Sequence, residues 1–207
     1  MLSQTSDSLP QQEKVAVMKK RVAIIGSGVS GILAIKACKE EEDIFSEIIC
    51  FEKTSDAGGL WKYREFNDNN GNNNNDKNDK NCEIVTVMKG TIANSSKEMS
   101  AFSDFPPTED TPNFMHHKLM LRYIESYAET FDCLKHIQFG QEVLQVSRSN
   151  AKWKILLRDH SQRERSEFFD AVFICTGHHG RPYIPSFPGL NKFQGKRVKR
   201  RRHKLQN

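Results

Sequence analysis

The stretch VAIIGSGVSG, residues 22–31, decides how this chain is read. Its four leading apolar residues, with Arg21 ahead of them, read as a short strand over 21–25 buried on both faces. Three glycines follow at once, Gly26, Gly28 and Gly31, with Ser27, Val29 and Ser30 between them. The pattern then turns helical. Ile32, Leu33, Ala34 and Ile35 share one broad side of a helix expected over 29–42, with Lys36, Lys39, Glu40 and Glu41 mostly elsewhere. A second apolar run, EIICF at 47–51, gives the next strand. Strand, glycine turn, helix and strand make a βαβ unit, so the expected fold class is α/β: a Rossmann-like domain with a parallel sheet.

The glycine spacing carries chemistry. Gly26 allows a tight turn out of the strand, and Gly28 lets a pyrophosphate approach the backbone. Gly31 is expected to let the helix pack closely on the sheet. The phosphates would then face free N–H groups at the helix N-terminus. An acid is expected about 20 residues on, and Glu52, followed by Lys53, ends the second strand 21 residues after Gly31. A carboxylate there hydrogen-bonds a ribose diol and repels a 2′-phosphate, which suits FAD or NAD better than NADP. Glycines that serve only a turn, or Glu52 as a surface acid, are the plainer alternatives. The complete fingerprint weighs against both.

Downstream, residues 67–81 (NDNNGNNNNDKNDKN) hold nine asparagines and nothing apolar, so they cannot bury a face and read as a loop inserted within a domain. Residues 83–88 read as a strand or an extended segment, and the proline-punctuated 101–114 as loop. Met120, Tyr123, Ile124, Tyr127, Ala128 and Phe131 recur at helical spacing over 118–131, and core packing accounts for these aromatics. Four short strand candidates follow at 137–139, 142–147, 153–157 and 165–169; polar turns at 147–151 and 159–164 separate three of them, which reads as a small antiparallel meander. AVFIC at 171–175 returns to a buried strand closed by Thr176 and Gly177.

Composition excludes several classes. With 37% apolar and 28% charged residues, the chain reads as soluble and globular, and no apolar run approaches a membrane span. The leader 1–18 is polar, without a secretion signal core. Five cysteines, at 38, 50, 82, 133 and 175, form no C-x-x-C pair, so buried thiols are expected rather than disulfides or zinc. His116, His117, His178 and His179 make two pairs without metal-ligand spacing and read as loop histidines. The net charge is +5, yet 196–204 (KRVKRRRHK) alone hold seven Lys or Arg, so the rest of the chain is slightly acidic. Such a run reads as a solvated, disordered end, with no specific nucleic-acid partner expected.

Further blocks carry a resemblance. EKTSDAGGLWKY (52–63), ANSSKEMSAFSDFP (93–106), PNFMHH (112–117) and FDAVFICTGHHGRPYIPSFPGLNKFQGK (169–196), with the glycine stretch, resemble the flavin-containing monooxygenases of the N- and S-oxygenating class. The likeness runs from about residue 20 to 196, interrupted by the Asn-rich loop. It implies FAD held by Gly26, Gly28, Gly31 and Glu52, with Gly58, Gly59, Leu60 and Trp61 continuing round the nucleotide. It implies Asn94 beside the flavin ring as the catalytic position, accompanied by Ser95, Ser96 and Lys97, and Thr176 and Gly177 at a strand end near FAD. It further implies NADPH as reductant, with O2 and a small amine or thioether as substrates. From the residues alone, Asn94 reads as a cap of the turn or helix start at 95–98.

The sequence also departs from that family. A second glycine fingerprint, for NADPH, is expected after residue 196 and is not among these residues. The family's Phe-x-Gly-x-x-x-His run is met at Phe193 and Gly195 but has Lys199 at the His position. The expected organisation is a leader over 1–18, an incomplete FAD-binding domain over 19–195 and a basic tail over 196–207, with an uncovered apolar face or edge on the sheet. A cytoplasmic location follows; endoplasmic reticulum association rests on the resemblance only, with no anchor segment. The alternative function is a non-catalytic FAD or dinucleotide-binding module.

Overall fold

A computed structural model of the chain describes residues 19–41, 43–64, 85–178, 180, 185–195, 197–198 and 205–206. The expected leader 1–18, the Asn-rich loop 67–81 and most of the basic run lie outside the described residues.

The parallel sheet is built around β1 (Lys20–Ile25) in the order β3-β2-β1-β7. β2 spans Phe45–Glu52, and α1 (Val29–Glu40) crosses between the two strands. β1 is apolar at every position from Val22 to Ile25 because it is central and both of its faces are covered. Ile24 and Cys50 face the helical layer, where Ile32 and Ile35 of α1 meet Met120, Ile124 and Tyr127 of α3 (His117–Thr130). Ala23, Ile49 and Phe51 face the opposite side and pack on Ile155, Leu157 and Phe169. The period-2 alternation of strand side chains thus splits one apolar run between two cores.

The second core belongs to an antiparallel meander of β4 (Gln141–Ser149), β5 (Lys152–Asp159) and β6 (Glu164–Phe169). Phe169 meets Phe51 edge to face, with ring centroids 5.8 Å apart. The Arg21 guanidinium lies 4.6 Å over the Phe169 ring and its Nη1 donates to Phe168 O at 2.7 Å, fastening the meander to the start of β1.

The expected aromatic core of α3 is present and more extensive. Phe102 N donates to the Tyr123 hydroxyl at 2.8 Å, that hydroxyl donates to Phe105 O, and both phenylalanines also pack on Tyr127. The proline-rich loop is thereby fixed to the helix. Lys36 of α1 adds an ion pair to Asp104 at 2.6 Å.

The strand candidate at 137–139 is β3 (Ile137–Phe139), which pairs in parallel with β2, Cys50 opposite Ile137, and stands apart from the meander. Its buried Ile137 belongs to the helical core, which outweighs its closeness in sequence to β4. Against expectation, β7 (Ala171–Ile174) is apolar but not buried: among the described residues it lies at the sheet edge, where Phe173 and Ile174 are exposed. In the tail, β8 (Arg197–Val198) and β9 (Leu205–Gln206) form a two-residue antiparallel pair. His117 is no loop residue, since it opens α3 and is buried. Of the expected strand or extended segment at 83–88, residues 85–88 are described and belong to no strand; Val87 N donates to Leu60 O at 3.0 Å.

Candidate functional site

The three glycines do three different things. At Gly26, φ is +96° and an added Cβ would lie 2.7 Å from Cys175 O, so this turn is wedged against the chain leaving β7. At Gly31, an added Cβ would lie 1.9 Å from Gly26 O. Its tight contact is therefore with the preceding turn, and the expected close packing of helix on sheet is secondary, Ile24 Cγ2 being 3.6 Å away. Gly28 is unlike both, because its Cβ would meet nothing nearer than Gly59 Cα at 3.7 Å, an ordinary contact. The fold itself does not demand a glycine at 28.

Gly28 is the N-cap of α1 and supplies no side-chain cap, and the first turn holds no acid. The first ladder bond runs from Ile32 N to Gly28 O at 3.0 Å, so the N–H groups of Val29, Ser30 and Gly31 precede it. A helix end bare of caps and acids, with room above Gly28, fits a bound anion.

Glu52 stands beside this end and is 7% exposed. Its Oε2 accepts from Ser27 N at 2.9 Å and from the Ser27 hydroxyl at 3.1 Å, while Oε1 accepts from Thr54 N and the Thr54 hydroxyl, each at 2.9 Å. Ser27 is completely buried. The carboxylate thus ties the glycine loop to the segment leaving β2. Lys53 between them is exposed.

Segment 57–61 closes on the loop. Gly58 N donates to Ser27 O at 3.0 Å, and Gly59 opens a 3-10 turn through Leu60 and Trp61. On the other side, Cys175 N donates to Ile25 O at 2.9 Å, and Thr176 and Gly177 leave the sheet exposed. β2 and β7 flank β1 on opposite sides, so the loop lies at the carboxyl end of the strands where strand order reverses, the usual ligand crevice of an open α/β sheet.

From Val29 and Trp61 a cleft of about 230 Å³ runs to Asn94 and Ser95, floored by Met120 and Ile124 and bordered by Met99. Ala93 N donates to Met115 O at 2.8 Å, which places the Asn94 loop against the start of α3. Asn94 is exposed, and among the described residues its amide has no hydrogen bond. It is not the helix cap: Ser96 holds that position before α2 (Lys97–Ser100), accepting from Met99 N at 3.4 Å. Ser95 Oγ pairs with Ser100 Oγ at 2.7 Å, and Lys97 N donates to Asn113 Oδ1 at 3.1 Å.

The sequence reading did not single out two residues at this site. Thr54 was hidden because its role needs the fold of the turn after β2; the one local signal is a hydroxyl residue two places beyond a strand-end acid. His117 was hidden in a His-His pair. Its Nε2 bonds Lys89 O at 3.1 Å, its ring lies 5.6 Å from that of Tyr63, and its Nδ1 lacks a partner among the described residues. Burial holds its pKa below the usual histidine value, with His116 adding to the effect. Among the described residues Cys38, Cys50, Cys133 and Cys175 are free, and burial raises the pKa of each thiol; Cys82 lies outside the described residues. Among the described residues there is no cluster suited to a metal and no helix long and apolar enough to cross a membrane.

Residues 19–207 match the flavin-binding monooxygenase-like family. The chain is 40% identical over 194 residues to the N-oxide-forming dimethylaniline monooxygenase 2 of Macaca mulatta, and 41% identical to the human flavin-containing monooxygenase 2. Each match covers 90% of this chain and 33% of the relative, so the chain spans about a third of their length. In fold it resembles the S-allyl-L-cysteine S-oxygenase of Allium sativum, with a TM-score of 0.72 at 24% identity over 88% of this chain and 42% of that one. A cyclohexanone monooxygenase from Rhodococcus shares the fold at TM-score 0.58 and 21% identity, over 85% of this chain and 30% of that one.

Proposed function

The chain belongs to the flavin-binding monooxygenase-like family, and from that premise we propose that its glycine loop holds FAD for a monooxygenase acting on soft nitrogen or sulfur nucleophiles, with NADPH as reductant. The observation that carries the FAD assignment is the space at Gly28. The fold leaves room there that it does not need, above a helix end without cap or acid. The N–H groups of Val29, Ser30 and Gly31 would hold the pyrophosphate, and Gly26 keeps the turn open beneath it. Glu52 would grip the ribose diol with Lys53 at its margin. Gly59, Leu60 and Trp61 would follow the nucleotide toward Asn94 and Ser95, with Thr176 and Gly177 on the opposite side of the loop. When bound, FAD supplies the redox and oxygen-activating chemistry, and the protein's part is to hold and shield it.

Met120 and Ile124 give the middle of the cleft an apolar floor. Asn94 would be the residue in contact with the reacting centre. A neutral amide both donates and accepts hydrogen bonds without supplying an acidic proton, so it would stabilise activated oxygen without releasing it as peroxide. The relatives' names point to small amines and thioethers as substrates.

A second reading, an FAD-binding module without turnover, has one observation in its favour: these residues carry a single G-x-G-x-x-G, and it is the one beside Glu52. One experiment separates the two. Purified chain reconstituted with FAD is given NADPH and a tertiary amine or thioether. The enzyme reading expects NADPH oxidation coupled to N- or S-oxide formation; a stable flavin spectrum with no NADPH oxidation supports the module.

A further inference from the structure

We propose that the Thr54 hydroxyl is a placeholder for a sugar hydroxyl and moves aside when the dinucleotide binds. The inference rests on the reading that Glu52 grips the ribose, and it concerns how a fully engaged carboxylate can do so.

An ionised carboxylate offers about four lone-pair sites. In Glu52 all are engaged, two by backbone N–H groups and two by hydroxyls. A ribose hydroxyl must therefore displace one of these donors. The backbone donors are fixed by the glycine turn and by the chain leaving β2. Ser27 is wholly buried, so Oε2 is the anchored oxygen. Oε1 is on the half-buried Thr54 side, and the Thr54 hydroxyl is the donor free to turn.

That hydroxyl has a second acceptor in place. Thr54 Oγ1 is 2.9 Å from Glu52 Oε1 and 3.0 Å from Asp56 O, and it carries one hydrogen for the two. A rotation about the C–O bond moves the hydrogen from the carboxylate to the carbonyl. Oε1 is thereby released to an incoming hydroxyl while Thr54 keeps a hydrogen bond. Asp56 is held in position by Arg64, whose Nη2 lies 2.7 Å from Oδ2, so the waiting carbonyl does not drift. Unliganded, the Thr54 hydroxyl keeps Oε1 satisfied on its half-buried side. Liganded, it trades a charge-assisted bond for a neutral one, a modest penalty on binding.

The test compares two nucleotides that differ only in the sugar: ADP and 2′,3′-dideoxy-ADP, titrated by calorimetry into the wild-type chain, Thr54→Val and Thr54→Ser. Wild type is expected to prefer ADP. Thr54→Val keeps the backbone donor and the shape but removes the penalty, so it should bind ADP about fivefold tighter with dideoxy-ADP unchanged, widening the preference. Thr54→Ser keeps the hydroxyl and should match wild type, with thermal melts verifying that each variant is folded. An unchanged or narrowed preference in Thr54→Val overturns the placeholder while leaving the sugar grip intact. Equal binding of the two nucleotides by wild type overturns the sugar grip and the placeholder together.

Discussion

At the glycine-loop end of the cleft, Ser27 and Glu52 are buried and the carboxylate is engaged by four donors. At the other end Asn94 is exposed, its amide makes no hydrogen bond among the described residues, and neighbouring Met99 is 82% exposed. The first end is assembled from the βαβ unit and the short segment after it, with the chain leaving β7 set against the turn. The second is a loop between the start of α3 and the four-residue α2. The difference teaches that the glycine-loop end is braced by buried hydrogen bonds, whereas the proposed reacting end is positioned without being enclosed. Mutations should therefore act on stability and binding together at one end, and on chemistry alone at the other.

The largest effect is expected at Gly31. In Gly31→Ala the new Cβ is driven into Gly26 O, and neither backbone segment can retreat without breaking the turn. A loss of ~3 kcal/mol in urea unfolding is expected, with FAD binding lost as well. Unaltered stability would mean that the turn is not packed as described.

Next comes Glu52→Ala, which strands the buried N–H groups of Ser27 and Thr54. Stability should fall by about 2–4 kcal/mol, and FAD affinity with it. If binding fell while stability held, the carboxylate would be a ligand contact and not also a brace for the loop.

A smaller effect comes from protons. His117 and His136 both have pKa values held below the ordinary histidine value, chiefly by burial. A group with a depressed folded-state pKa contributes stability that is complete above its unfolded pKa, about 6.5, and is lost as pH falls toward the folded value. Stability should therefore decline below about pH 6.5 and change little on that account above it. In His117→Gln the slope in that window should flatten, as read from urea midpoints against pH. A slope that stays the same assigns the acid sensitivity to other groups.

The smallest stability change is expected at Asn94→Ala, within about 0.5 kcal/mol of wild type. FAD affinity should also be preserved. If oxygenation is present in the parent protein, it should fall sharply. An Asn94→Ala variant that unfolds would erase the contrast between the two ends.

The two ends also differ in how far they could be read from the sequence. The β1–α1–β2 unit was legible because its signals are local: a short apolar run, three glycines and an acid at fixed spacing. The meander strands and the apolar stripe of α3 were legible for the same reason. The sheet that β3 joins was not legible, because three residues, IQF, look alike in a parallel or an antiparallel sheet and only the distant Cys50 partner decides. β7 looked buried because its composition is that of a central strand, yet among the described residues it has β1 on one side alone. The distinct jobs of Gly28 and Gly31, and the Thr54 brace on Glu52, depend on distances across a folded turn that no spacing rule contains.

The most direct measurement is an FAD titration of wild type beside Gly28→Ala, with thermal melts of both. The fold has room for the extra methyl, so Gly28→Ala should melt close to wild type. The methyl would occupy the space meant for the pyrophosphate, so FAD affinity should fall at least tenfold, or about 1.4 kcal/mol. Equal FAD affinity in the two folded proteins would contradict the account, for the space above Gly28 would then not be where the phosphates sit.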